Sequence, residues 1–258
     1  MEQYLQVVSL PSAEPELRYP FARDSMPWGI RWSYDSSKLA LDIRGRQERT
    51  VAVLNAETGD ADCEASLPDT RSLLVGNPAW DEGGDAIYVP GTEANYRMDT
   101  TTGAIRRVDG VPAGESLGEA RTPPGLVPSP DGKLWAYARQ SADLAPDEVV
   151  CLAEAGGSRI IGTGDRHMQW TTPSTLLTVR RSAPDQPGVL MELNAETSGE
   201  RELLSDVESW ALAPGSSTVV VIQRRGTASE LGTLSLDDGH FTLRRIPGES
   251  PPAEPLRD

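Results

Sequence analysis

The chain has 258 residues, 38% of them hydrophobic and 24% charged, with a net charge of −15. That composition supports a large folded core and excludes a disordered chain. A nucleic-acid binder needs a cationic surface to displace counterions from phosphates, and an acidic protein is repelled by an anionic membrane, so the sequence predicts neither nucleic acid nor membrane as a partner.

Glycine (24) and proline (21) are abundant, which points to many turns. The two cysteines, Cys63 and Cys151, lie far apart and form no CxxC or Cys/His cluster. No metal site and no cofactor is therefore predicted, and the thiols read as unpaired in a reducing compartment. Met1 to Gln6 lacks the basic and apolar regions of a signal peptide, and no apolar run approaches the ~18 residues of a membrane span. The expectation is a soluble, cytoplasmic protein.

In chain order, Tyr4–Leu10 and Glu16–Tyr19 flank a Pro/Ser turn and predict an N-terminal hairpin. A repeating unit follows. Trp32-Ser33-Tyr34-Asp35-Ser36-Ser37-Lys38-Leu39-Ala40-Leu41 reads as a short strand, a polar turn and an apolar strand. The same order recurs at Trp80, Pro128, Trp170 and Leu212, at steps of 48, 48, 42 and 42. Pro presets φ in such turns, Asp bonds backbone amides and Gly takes the positive φ. Each unit continues into a second hairpin. Asn55-Ala56-Glu57-Thr58-Gly59 is followed by Asp99–Gly103, Glu154–Gly157 and Asp237–Gly239, with a near-copy at Asn194-Ala195-Glu196-Thr197. Two hairpins per ~45 residues make one four-stranded propeller blade.

Ser129-Pro130-Asp131-Gly132-Lys133 resembles the turn of the TolB-type propeller repeat, a relative of WD repeats, and the Trp32, Trp80, Trp170 and Leu212 units resemble it loosely. The resemblance spans residues 28 to 246. It implies an all-β propeller of four-stranded antiparallel blades, five to six in number, with the N-terminal hairpin contributing to ring closure. Residues 1–246 are expected to form this one domain, with inner hairpins starting near 28, 76, 125, 167 and 208. The Pro- and charge-rich segment 247–258 reads as a disordered tail. Such propellers serve as docking modules, ligand binders and enzyme scaffolds, so the fold alone names no function.

No GxSxG, HExxH or phosphate-binding loop is present. His167 and His240 are the two histidines, and His167 lies in the connection Thr163-Gly164-Asp165-Arg166-His167 before the fourth unit. Second strands of four units run out in arginine: Arg44 and Arg46, Arg139, Arg180 and Arg181, Arg224 and Arg225. Strand alternation places these ends on one face with Asp165, Arg166 and His167. Arginine presents a planar fork suited to carboxylate or phosphate, so this face is the predicted site for a small anionic ligand or an acidic segment of a protein partner. The competing reading pairs the arginines with neighbouring acids, among them Asp42, Glu148 and Glu230. The leading function is a non-catalytic binding or scaffolding module. The alternatives are an enzyme or substrate-binding accessory acting on an anionic molecule at the channel mouth, with Asp165 or His167 as polar groups, and a subunit beside a separate hydrolase. The tryptophans at 32, 80, 170 and 210 are expected to pack between blades.

Overall fold

Short apolar runs separated by Asp-, Ser- and Gly-rich turns favour strands, and strands are what the chain forms. The computed structural model describes residues 3–8, 15–21, 25–45, 48–68, 78–91, 93–109, 126–139, 147–153, 157–165, 167–183, 186–212, 215–226 and 228–243. Among these no helix occurs. The segment 247–258 lies outside them.

A hairpin of β1 (Gln3–Val8) and β2 (Pro15–Phe21) opens the chain. Three antiparallel four-stranded sheets follow. The first holds β3 (Met26–Trp32), β4 (Lys38–Arg44), β5 (Arg49–Asn55) and β6 (Ala61–Leu67). The second holds β7 (Ala79–Trp80), β8 (Ala86–Val89), β9 (Asn95–Asp99) and β10 (Ile105–Val108). The third holds β11 (Val127–Pro128), β12 (Leu134–Arg139), β13 (Glu148–Ala153) and β14 (Ser158–Thr163).

The remaining strands form one seven-stranded sheet: β15 (Gln169–Trp170), β16 (Thr175–Arg180), β17 (Gly188–Asn194), β18 (Gly199–Leu212), β19 (Thr218–Arg225), β20 (Ala228–Ser235) and β21 (Phe241–Leu243). The 14-residue β18 pairs with β17 up to Val207 and with β19 from Val207 onward. One strand thus closes a fourth unit and opens a fifth. No Gly or Pro interrupts it after Gly199, and Asp206 takes the positive φ of 59° at the hand-over.

Turn chemistry explains the repeat. Ser33 Oγ donates to Asp35 (2.7 Å) and accepts from the Lys38 amide (2.9 Å). Ser129 does the same with Asp131 (2.7 Å) and Leu134 (3.0 Å). In the outer hairpins Asn55 Oδ1 accepts from the amides of Glu57 and Thr58, and Asn194 Oδ1 from those of Glu196 and Thr197. Such side-chain bonds fix a turn locally, before distant contacts form.

Units stack face to face, and the inner strands carry the contact. Trp80 packs on Ala40, Val51 and Val53 of the first unit; Leu126 packs beside Tyr88 of the second. Trp170 and Met168 pack on Ala136 and Ala138 of the third, and Trp210 and Leu212 on Leu177 and Val179 of the fourth. Each inner strand therefore faces the preceding unit. Trp80, Trp170 and Trp210 are 3%, 4% and 3% exposed, as expected of core residues, whereas Trp32 is 36% exposed. The difference is positional: what precedes the first unit is a two-stranded hairpin, not a four-stranded sheet. Leu5, Tyr19 and Phe21 of that hairpin pack on Leu39, Leu41, Ala52 and Leu54. The turns of the fifth and first units meet, because a Cβ on Gly215 would lie 3.3 Å from Tyr34.

Candidate ligand-binding pocket

The inner strands converge on a pocket of about 490 Å³, including its open mouth. Its lining comes from the first four units: Arg31, Trp32 and Tyr34; Pro78, Ala79 and Trp80; Val127 and Pro128; Met168, Gln169 and Trp170. The residue before each repeat position, at the same spacing, is Arg31, Ala79, Val127, Gln169 and Ala211. Arginine is the one charge in that series. Trp80 Nε1 donates to the Arg31 carbonyl (3.0 Å) and Trp170 Nε1 to the Val127 carbonyl (2.8 Å), so the indoles lock neighbouring inner strands around the pocket. Gln169 Nε2 donates to Leu212 O (3.0 Å), tying the fourth unit to the fifth.

Among the described residues Arg31 makes no ion pair; its guanidinium donates to the carbonyl of its own neighbour Ile30 at 2.9 Å. Burial pulls its pKa below the ordinary arginine value. Among the described residues no carboxylate answers this partly buried cation, which lines the pocket with Trp32, Trp80 and Trp170. The sequence reading missed Arg31, although its place at an inner-strand repeat position was the available signal.

The predicted arginine face is differently organised. Arg44 is 8% exposed and bonds Asp42 at 3.1 Å; Arg49, which the sequence reading passed over, holds the same carboxylate with two nitrogens at 2.9 Å. Arg139 pairs with Glu148, Arg180 with Glu200 and Glu202, Arg224 with Glu208, and Arg225 with Glu230. Arg181 bonds Asp165 (3.2 Å) and the carbonyls of Gln186 and Glu208 (both 2.7 Å). Each of these arginines thus has a carboxylate within reach. Arg46 and Arg166 lie outside the described residues.

Asp165 and His167 are brought together, with the His167 amide donating to Asp165 Oδ1 (2.9 Å). Burial raises the Asp165 pKa against the pull of Arg181. Burial lowers that of His167, with Asp165 opposing and Arg31 and Arg181 adding to the shift. The imidazole stacks on Trp210, ring centres 4.6 Å apart and planes 19° from parallel. Cys63 and Cys151 are free thiols. Among the described residues, no group of three or more His, Cys, Asp and Glu side chains is placed to hold a metal ion.

Solved structures with this arrangement are propellers. TolB from Acinetobacter baumannii matches with a TM-score of 0.55 and 16% identity over 92% of this chain and 58% of its own. The putative TolB from Agrobacterium tumefaciens gives 0.56 and 12% over 88% and 83%. The chain has a TolB-type β-propeller fold. An oligogalacturonate lyase in complex with manganese shares it, with a TM-score of 0.56 and 12% identity over 94% of this chain and 72% of its own. At such identities the likeness establishes the fold alone, and the chain spans little more than half of the first TolB. No family model and no curated relative matches the sequence.

Proposed function

We propose that this propeller is a non-catalytic binding module of five four-stranded blades, with the N-terminal hairpin as a partial sixth, and that its central pocket takes an anionic group on Arg31. The group is a carboxylate or phosphate of a small ligand, or an acidic side chain of a partner segment. The observation that carries this is the half-buried guanidinium lining the pocket with Trp32, Trp80 and Trp170, with no ion pair among the described residues. The rim arginines support it by contrast, since their acids already neutralise them. The second reading is an enzyme acting on an anionic molecule: Asp165 is ion-paired with Arg181, whereas stacking on Trp210 leaves the ring nitrogens of His167 able to move protons.

Citrate and a glutamate-rich peptide are suitable probes, because three tryptophans line the pocket and report occupancy by fluorescence. Saturable quenching by either probe, weakened at least about tenfold in Arg31→Ala, is the expected result. No saturable change with either probe, or equal binding to the variant, overturns the reading.

A further inference from the structure

The pocket's two ends carry opposite charge. Toward the start of the inner strands, burial lowers the His167 pKa, Asp165 opposes this, and the charges of Arg31 and Arg181 add to it. Both guanidiniums therefore lie within electrostatic reach of that ring. At the other end Tyr34 lines the pocket from the inner turn of the first unit. Burial, then the charges of Glu82 and Asp81, push the Tyr34 pKa up to about 12, which places both carboxylates within reach of its hydroxyl.

The chain brings these acids there directly. Trp80 lines the pocket, and Asp81 and Glu82 are the next two residues. Backbone bonds hold the turn: the Asp81 amide donates to the Ala86 carbonyl at 2.9 Å, and the Glu82 amide to the Pro130 carbonyl of the third unit at 3.0 Å. Asp81 accepts a long bond from Arg97 at 3.5 Å, whereas Glu82 is exposed, so Glu82 carries more of the negative charge offered at this end.

Between the two ends the walls are aromatic. Trp80 and Trp170 commit their N–H groups to the carbonyls of Arg31 and Val127, so what they offer the pocket is ring surface. Trp32 and Tyr34 add two more rings. The face of an aromatic ring attracts a cation, tryptophan most strongly, within about 6 Å. Rings beside carboxylates favour an ammonium group, while the guanidinium favours a carboxylate or phosphate. Arg31 and Tyr34 stand three positions apart on the inner strand and its turn, roughly 10 Å at about 3.3 Å per residue. A ligand touching both carries its charges on an extended chain, not on adjacent atoms.

We propose that the ligand of this pocket is a linear zwitterion, with its anionic group on Arg31 and its ammonium group against the tryptophan and Tyr34 rings at the Asp81–Glu82 end. This rests on the anion site at Arg31 and names the class of ligand that site takes. The arrangement discriminates on both sides. An anion without an ammonium group binds Arg31 but meets repulsion from Glu82, and a simple amine meets repulsion from Arg31.

Tryptophan fluorescence with three six-carbon probes tests this: 6-aminohexanoate, hexanoate and hexylammonium. 6-Aminohexanoate is expected to bind at least about tenfold more tightly than either of the others. Asp81→Asn keeps the oxygen that accepts from the Ala86 amide, and Glu82→Gln changes an exposed side chain. Together they are expected to remove the advantage over hexanoate without weakening hexanoate itself. Should the double variant fail to fold, Glu82→Gln alone is expected to cut the advantage at least about threefold. An advantage that survives these changes overturns the proposal, as does hexylammonium binding as tightly as the zwitterion. Citrate and hexanoate bound through Arg31, with no gain from the ammonium group, overturns this proposal and leaves the anion reading standing. No Arg31-dependent binding of any carboxylate overturns both.

Discussion

The Trp80 indole nitrogen donates to the main-chain carbonyl of Arg31 at 3.0 Å. The side chain that anchors the second unit on the first thereby also fixes the strand presenting the pocket's cation. Trp80→Phe keeps an aromatic ring but loses the indole N–H that the carbonyl accepts from, and leaves a small void beside it. The expected loss is about 1–3 kcal/mol by urea unfolding, together with weaker citrate binding. Unchanged stability would show that the indole bond does not hold the strands together.

Asp42 is fully buried and carries Arg49 and Arg44. Arg49 also reaches the Pro90 carbonyl of the next unit at 2.9 Å. Asp42→Ala takes the carboxylate from Arg49, which is 2% exposed, and about 3–5 kcal/mol of stability is expected to go. Arg139→Ala breaks a pair whose members are 45% and 37% exposed, for which about 0–1 kcal/mol is expected. Chemical denaturation of the two variants separates a structural arginine cluster from a solvated rim.

The inner-turn Gly132 has φ of 70°, and a Cβ there would lie 2.0 Å from the Tyr88 hydroxyl of the neighbouring unit. Gly132→Ala therefore combines left-handed strain with a steric clash, and a loss of about 2–4 kcal/mol is expected. Tyr88→Phe in the same chain should return little of it, because the ring carbon Cζ, 2.1 Å from that Cβ, remains. A Gly132→Ala protein as stable as wild type would contradict the close approach of these two units.

His167 is exposed on one side, but the protein around its other side, where the ring stacks on Trp210, desolvates it and lowers its pKa below the ordinary 6.5, so its effect on stability is small. The unfolded chain then binds the proton before the folded one, so this residue's contribution to stability is present above pH about 6.5 and is lost as pH falls toward the folded-state pKa. His167→Gln should flatten that part of the stability–pH curve. A proton NMR titration that placed the His167 midpoint above 6.5 would reverse the sign and refute the desolvation argument.

The repeat was legible because each turn is a local chemical device. The Ser-x-Asp and Asn-x-Glu-Thr motifs bond their own backbones whatever surrounds them, and observed inner strands begin at Met26, Ala79, Val127 and Gln169, near the predicted 28, 76, 125 and 167. The fusion within β18 was not legible, since a kink at Asp206 stands where a Gly or Pro turn would announce a boundary. The site was harder still. Strand ends showed where Arg139, Arg180 and Arg224 lie, but their acids come from other strands of the same sheet. The isolation of Arg31 depends on what four different units place around it.

The most direct test follows the Arg31 side-chain Nε–Hε resonance by NMR while citrate is added. The account predicts a saturable shift of this signal, absent in Arg31→Ala, with the Arg139 and Arg180 signals unmoved. Movement of the rim arginines with Arg31 unmoved would contradict it and place anion binding on the other face.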